Sequence, residues 1–154
     1  MKLESYRKEI EIKDLFEKNT DYYYEKYKKY KEIGKYPSLN LYALILTPFW
    51  CIYRKMIWTG AGIIGIQLIL LMLAKIFMTP MWIGIFVLSL GINLYFGYFG
   101  NCIYFKNLDK LVKQGNNIEV KYRHKFINDK AGVDMHITIC WVIVTVLMTL
   151  LALS

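Results

Sequence analysis

The sequence predicts an all-α fold: a helical membrane protein with three transmembrane helices, an interfacial or re-entrant helix and an N-terminal cytosolic helical region. Three apolar segments, residues 56–74, 82–104 and 137–153, have the length of membrane-crossing helices, which need about 17–25 residues. Their apolar residues lie on all sides of the helix, whereas a helix of a soluble domain confines them to one stripe. All 20 lysines and arginines lie outside these segments. Together these observations exclude an ordinary soluble domain.

Residues 1–37 are predicted to form a cytosolic amphipathic helical region. They are charged throughout and lack the apolar core and cleavage site of a signal peptide, so no such peptide is expected. A start signal at Asn19 and a stop signal at Gly34 bound a predicted helix at Asp21–Ile33. A weaker helix is predicted at Leu3–Lys18.

Three tyrosines of the predicted helix, Tyr23, Tyr27 and Tyr30, recur at helical spacing and form one aromatic face. We expect such a face to pack on the protein itself or to lie at the lipid interface. The alternative is a groove in which a partner protein docks.

Residues 38–154 are predicted to form the membrane domain, which begins with an apolar segment at 39–53 that is too short for a full span. Pro48 removes a backbone donor near the middle of this segment, and crossing would deliver two basic residues to the outside. An interfacial or re-entrant helix is therefore favoured, with aromatic rings at headgroup level and basic side chains on lipid phosphate. The residues predicted to contact the interface are Trp50, Tyr53, Arg54 and Lys55.

The distribution of basic residues predicts the orientation of the three spans. Lysine and arginine number 12 in residues 1–55, 1 in residues 75–81, 7 in the predicted loop 105–136 and 0 after that loop. Positively charged segments stay on the cytoplasmic side of a membrane. The N terminus and the loop are therefore predicted to be cytoplasmic, and the C terminus is predicted to lie outside.

Polar side chains within the spans predict how the helices pack. Gln67 and Asn93 lie near the middle of the first two spans, and an antiparallel hairpin would place them at similar depth, where they can hydrogen-bond. Small and polar residues also recur every four positions along the second span. The predicted packing positions are Gln67, Ser89, Asn93, Gly97 and Asn101. In the alternative interpretation the same groups line a hydrated substrate path.

The sequence contains no motif of catalysis, metal binding or nucleotide binding. There is no Ser/His/Asp arrangement, paired carboxylate or glycine-rich phosphate loop, and the three cysteines lack the spacing of metal ligands. We therefore expect no enzyme activity, no cofactor and no metal site. The net charge of +8 is expected to attract anionic phospholipid headgroups rather than nucleic acid, because the lysines flank apolar spans.

Two strings of residues in the membrane domain form a specific pattern. The first is SLNLYA at Ser38–Ala43 followed by PFWCIYRKM at Pro48–Met56, and the second is GYFGNCIY at Gly97–Tyr104. The pattern resembles that of an uncharacterised bacterial membrane family, domain of unknown function 2628, over residues 15–112. Thr47 departs from it, since glycine is common there. The resemblance implies a protein of the bacterial cytoplasmic (inner) membrane and assigns no activity.

From these observations we expect a non-enzymatic integral membrane accessory or interaction protein that contacts the lipid bilayer. A homo-oligomer and a membrane-protein partner are both left open. One alternative is a small transporter or channel subunit that is active as an oligomer, although the spans lack the charged mid-membrane residue that transport usually needs. Another alternative is an immunity protein against membrane-active peptides, a task that small basic multi-span proteins suit.

Overall fold

The computed structural model describes residues 12–35 and 37–154. Within these residues the chain forms a 3₁₀ turn and α-helices joined by short connections, with no strand, and the predicted all-α class is confirmed. The 3₁₀ turn is Ile12–Leu15, and the helices in chain order are α1 (Thr20–Ile33), α2 (Leu41–Ile45), α3 (Thr47–Tyr53), α4 (Ile57–Phe77), α5 (Pro80–Ser89), α6 (Gly91–Asn116), α7 (Val120–Lys130) and α8 (Met135–Leu153).

Three helical stretches are long and apolar enough to span a membrane, as predicted. They are α4, a stretch within Pro80–Asn116 and a stretch within Lys121–Leu153. The second stretch is interrupted at Leu90, between α5 and α6. Beside this interruption the Ser89 hydroxyl donates to the carbonyl of Phe86 at 2.6 Å. A side chain thus satisfies a backbone carbonyl beside the interruption of the helix.

The amphipathic helix α1 begins within one residue of the predicted start and ends at the predicted residue. Gly34 adopts a φ of 84°, and its N–H donates to the carbonyl of Tyr30 at 2.8 Å, which ends the helix. Of the weaker helix predicted at Leu3–Lys18, residues Ile12–Leu15 form the 3₁₀ turn. Residues 3–11 lie outside the described part of the chain.

The described residues form two compact units. The first contains residues 12–35, Pro37 and Asn101–Val133, and we call it the aromatic unit. The second contains Ser38–Gly100 and Asp134–Ser154, and we call it the apolar unit. One boundary between the units lies after Pro37.

The segment predicted as a loop, residues 105–136, is largely helical, because α6 continues to Asn116 and α7 follows it. In this part of α6 the buried residues Phe105, Leu108 and Leu111 recur at helical spacing. The basic residues between them lie on the outer face. The charge that suggested a loop therefore belongs to an amphipathic helix.

The first residues of the last helix, α8, contact the C-terminal end of α3. The Asp134 N–H donates to the carbonyl of Tyr53 at 2.9 Å, and Asp134 Oδ1 caps the helix by accepting from the N–H of Ile137 at 2.9 Å. The helix packs beside α3 and α4, but none of its residues is buried within the protein. Its threonine hydroxyls donate to carbonyls of the same helix or its cap, which leaves an apolar outer surface.

Candidate functional site

The residues Ser38–Tyr53, which carry most of the first string of the family pattern, form a layer made of α2 and α3 that we call the motif layer. Asn40 organises its start, because Asn40 Oδ1 accepts from the N–H of Ala43 at 3.1 Å and caps α2. The N–H of Asn40 donates to the carbonyl of Gly97 at 2.9 Å. The motif layer is thereby attached to the backbone of α6.

Two glycines allow the motif layer to approach the spans closely. A Cβ atom at Gly97 would lie 2.7 Å from Leu44 Cδ1, and one at Gly60 would lie 2.6 Å from Ile52 Cγ1. Carbon atoms in contact prefer separations of about 3.5–4.0 Å, so a side chain at either position would displace the layer. Gly97, predicted as a packing position, thus faces α2, and Gly60 faces α3.

The four residues predicted to contact the interface lie in different environments. Trp50 is buried against Gly100, where an added Cβ would lie 3.3 Å from its ring, and Arg54 is only 2% exposed. Tyr53 and Lys55 are partly exposed. Because Trp50 and Arg54 are four residues apart, they share the helix face that turns towards the protein. Two of the four side chains therefore lie inside the protein, which differs from their predicted placement on headgroups.

The end of α3 is a Schellman cap in which a lysine occupies the position that usually holds glycine. Lys55 has a φ of 58°, and its N–H donates to the carbonyl of Ile52 at 2.9 Å. The N–H of Met56 donates to the carbonyl of Cys51 at 2.8 Å. This cap ends α3 immediately before α4 begins.

The polar residues predicted inside the spans also lie in different settings. Ser89 bonds to its own helix, and Asn101 is fully buried in the aromatic unit. Gln67 Nε2 and Asn93 Oδ1 are buried atoms without a hydrogen-bond partner. The predicted hydrogen bond therefore does not join these two atoms, although one is a donor and the other an acceptor.

These two amides give a prediction on stability. The variants Asn93→Leu and Gln67→Leu are each expected to change the free energy of unfolding by less than about 1 kcal/mol, because neither removes a formed bond between Nε2 and Oδ1. The double variant should show the sum of the two changes within about 0.5 kcal/mol. Unfolding of the four proteins in detergent measures this. A coupling of about 1 kcal/mol or more would instead support the pair expected from the sequence.

The tyrosine face of α1 packs on the protein itself, within the aromatic unit. Phe16 is fully buried, with its ring centroid 5.8 Å from that of Tyr23. The Tyr23 ring lies 5.7 Å from that of Tyr104, and the Tyr27 ring lies 5.5 Å from that of Phe105. These edge-on and stacked rings lie within the range that stabilises aromatic pairs. The face is thus occupied by residues of this chain.

Asp109 fixes α1 to α6 by two polar contacts. The Tyr27 hydroxyl donates to Asp109 Oδ1 at 2.7 Å, and Lys31 Nζ donates to Asp109 Oδ2 at 2.7 Å. Burial, followed by the hydrogen bond to Asp109, raises the pKa of Tyr27 to about 12. The hydrogen bond to Asp109 raises the pKa of Lys31. Sequence reasoning missed Asp109, although it is the only acidic residue between Glu32 and Glu119.

The raised pKa of Tyr27 predicts a loss of stability at alkaline pH. Its folded value of about 12 lies above its ordinary value of 10.0, so this contribution to stability is complete below pH 10 and is lost as the pH rises towards 12. Unfolding of the wild type between pH 9 and about pH 12 should show this loss, and Tyr27→Phe should reduce it. Tyr122→Phe, at an exposed position, is the matched control. Equal alkaline losses in all three proteins would contradict the prediction.

A second contact that was not predicted from the sequence joins two distant segments of the aromatic unit, the residues before α1 and the residues after α7. Glu17 Oε2 accepts from the N–H of Val133 at 2.8 Å, and the N–H of Gly132 donates to the carbonyl of Leu15 at 3.1 Å. Gly132 has a φ of 86°, a conformation that favours glycine. The residues just before α8 are therefore attached to the residues just before α1.

The described residues contain few side chains that are placed to bind a metal ion or to act as a nucleophile. No set of three or more His, Cys, Asp or Glu side chains within residues 12–35 and 37–154 is arranged to hold a metal ion. Cys51 and Cys102 are buried, whereas Cys140 is exposed. Among the polar side chains described above, Asn40 caps a helix, and Asp109 joins two helices.

The comparisons with known proteins identify one family. A family model described as "Protein of unknown function (DUF2628)" matches residues 8–110. The matched range includes α1 and the motif layer, together with the string Gly97–Tyr104 that carries the second part of the resemblance. No curated protein and no solved structure matches the chain.

Proposed function

The chain belongs to the family of proteins of unknown function DUF2628, and from this premise and the contacts of Asp109 we propose that it is a non-enzymatic integral membrane accessory protein. In this proposal the aromatic unit lies on the cytoplasmic side of a bacterial inner membrane and presents the outer face of α1 to a partner protein. The observation that carries the proposal is the attachment of Tyr27 and Lys31 to Asp109, which gives this face a fixed position.

The same contacts support the proposed orientation. α1 comes before α4 in the chain, and Asp109 comes after the apolar part of α6. α1 and Asp109 nevertheless belong to the same unit, the aromatic unit. Two segments in contact lie on one side of a membrane, so the chain between them crosses an even number of times. Crossings by α4 and by α5 with α6 meet this condition, whereas a further crossing by the motif layer would not. The basic residues of both segments favour the cytoplasmic side.

This topology predicts the location of the C terminus. Alkaline phosphatase fused after Ser154 is expected to be active, and a reporter that folds only in the cytoplasm is expected to be inactive there, because α8 makes the third crossing. The same pair of reporters fused after Asn117, in the connection from α6 to α7, should give the opposite result. Cytoplasmic activity at Ser154 would contradict the three-span topology.

The outer face of α1 is suited to a protein partner. Glu25, Lys28 and Glu32 are exposed and recur at helical spacing on the side away from the buried tyrosines. Lys28 Nζ lies 4.6 Å from the centre of the Tyr24 ring, a cation–π contact that holds this cation against the helix surface. Charged residues in a fixed arrangement determine which partner binds more than they determine how tightly it binds.

Site-specific crosslinking in native membranes tests the accessory role. A photoreactive amino acid at Glu25 or Glu32 is expected to give a crosslinked protein of discrete size, and reversal of the other glutamate to lysine should remove it. The same amino acid at Ile69, an exposed residue of α4, is the matched control for non-specific neighbours in the membrane. If neither α1 position crosslinks a protein, the accessory role is wrong.

A transporter or channel subunit is the second candidate, and the unpartnered Gln67 Nε2 and Asn93 Oδ1 favour it. Buried polar groups within spans often mark hydrated paths. We expect no protein-dependent flux of small ions or sugars when the purified protein is placed in liposomes. A flux that Asn93→Leu abolishes and Ser154→Ala leaves unchanged would favour this candidate over the accessory role.

A further inference from the structure

We propose that α2 lies in the membrane interface at the end of the spans opposite the α4–α5 connection, and that its outer face binds lipid at the boundary between headgroups and acyl chains. The residues that form this face are Leu41, Tyr42 and Ile45, which belong to the segment 39–53 that was predicted as an interfacial or re-entrant helix. We call them the α2 lipid face.

The first observation is the composition of the α2 lipid face. Tyr42 is 72% exposed and Ile45 is 70% exposed, whereas Ala43 on the opposite side is fully buried. No charged residue occurs between Lys35 and Arg54. Large apolar side chains side by side on a surface indicate contact with a membrane or a protein rather than with water.

The second observation is the level of the motif layer along the spans. α3 packs on Gly60, which is 17 residues before the end of α4 at Phe77, and α2 packs on Gly97, which is 17 residues after the start of α5 at Pro80. Each distance is about 26 Å at 1.5 Å per residue. Since a hydrocarbon core is about 30 Å thick, the layer lies close to the boundary opposite the α4–α5 connection.

The third observation comes from aromatic residues at the two ends of α4. Trp58 is 91% exposed in the first turn, and at the other end Phe77 stacks on Trp82 with ring centroids 5.5 Å apart. Trp58 and Phe77 are 19 residues apart, about 28 Å along a helix. Tryptophan is enriched at both membrane–water interfaces. Trp58 therefore marks the same boundary as the motif layer, at the level where the Tyr42 hydroxyl can reach water.

Lipid is a better occupant of the α2 lipid face than a second copy of the chain. The face consists of three side chains on a helix of five residues. A stable protein interface buries about 1,200–2,000 Å² in total, far more than three side chains supply. An amphipathic surface lying in the bilayer interface needs no such area, because lipid surrounds it on all open sides.

Spin labels on single cysteines measure the depth of this face. Ile45→Cys is labelled in a Cys140→Ala background, and the protein is placed in vesicles of phosphatidylethanolamine and phosphatidylglycerol. Glu32→Cys is the control for water, and Ile69→Cys, an exposed position 8 residues before the end of α4, is the control for the membrane interior. The ratio of collisions with oxygen to collisions with a water-soluble nickel chelate reports the depth of each label.

The Ile45 label is expected to give a ratio several-fold above that of Glu32 and several-fold below that of Ile69. A ratio equal to that of Glu32 would place the face in water, and one equal to that of Ile69 would place α2 in the membrane interior. A label shielded from both reagents would mean that protein covers the face. Each of these three results overturns the proposal. A label at Leu41 repeats the measurement with a second variant, in case Ile45→Cys does not fold.

Discussion

Gly97→Leu is expected to lower the free energy of unfolding by about 3 kcal/mol, because overpacking at a closely packed contact costs about 1–3 kcal/mol and here two contacts are lost together. The added side chain would meet Leu44, whose Cα would lie 3.3 Å and whose Cβ would lie 2.9 Å from the new Cβ. Since backbone atoms of α2 cannot rotate away, the motif layer must move. That movement would also break the hydrogen bond from the Asn40 N–H to the Gly97 carbonyl.

Unfolding in detergent, followed by the loss of helical signal or by tryptophan fluorescence, measures this change. Gly62→Leu on α4 is the matched control, since a Cβ at Gly62 would have no neighbour within 4 Å. We expect Gly62→Leu to leave stability unchanged or to raise it slightly, because leucine favours helix more than glycine does. Equal losses for Gly97→Leu and Gly62→Leu would show that α2 does not pack at Gly97.

The second large effect is expected at Asp109. Asp109→Ala should lower the free energy of unfolding by about 2 kcal/mol, because it leaves the buried Tyr27 hydroxyl without its acceptor. The ion pair with Lys31 adds little to this figure, since the Lys31 side chain is about half exposed and solvent screens it. Most of the loss is therefore assigned to Tyr27.

A double-mutant cycle tests that assignment. In the Asp109→Ala background Tyr27→Phe should cost little more, whereas in the wild type it should cost about 1 kcal/mol. Asp129→Ala, at an exposed carboxylate of α7, controls for the loss of one negative charge and should be nearly neutral. Additive losses at Asp109 and Tyr27 would mean that the two residues stabilise the protein independently.

The fold was predictable because its strongest determinants are local in the chain. The long apolar segments indicate three potential spans, and Asn19 and Gly34 indicate the ends of α1 almost to the residue. The signature string likewise indicates the family. Residues 105–116 were predicted as a loop because they are rich in basic residues. The buried residues Phe105 and Leu108, however, recur at the spacing of a helix.

The candidate site was less predictable, because it depends on which face of a short helix turns inward. Trp50 and Arg54 have the chemistry of interface residues, and only tertiary packing of α3 places them inside the protein. Asp109 has its partners 82 and 78 residues away in the chain, a separation at which no local pattern operates. Its isolation among basic residues is the one signal that the sequence offers.

The position of α8 has a consequence for how members of the family can differ in length. The family match ends at residue 110, and α8 buries none of its residues while beginning on a backbone bond between Asp134 and Tyr53. A helix attached in this way can be gained, lost or replaced during evolution without repacking a core. We therefore expect natural relatives with two spans, and expect them to retain the glycines at the positions of Gly60 and Gly97.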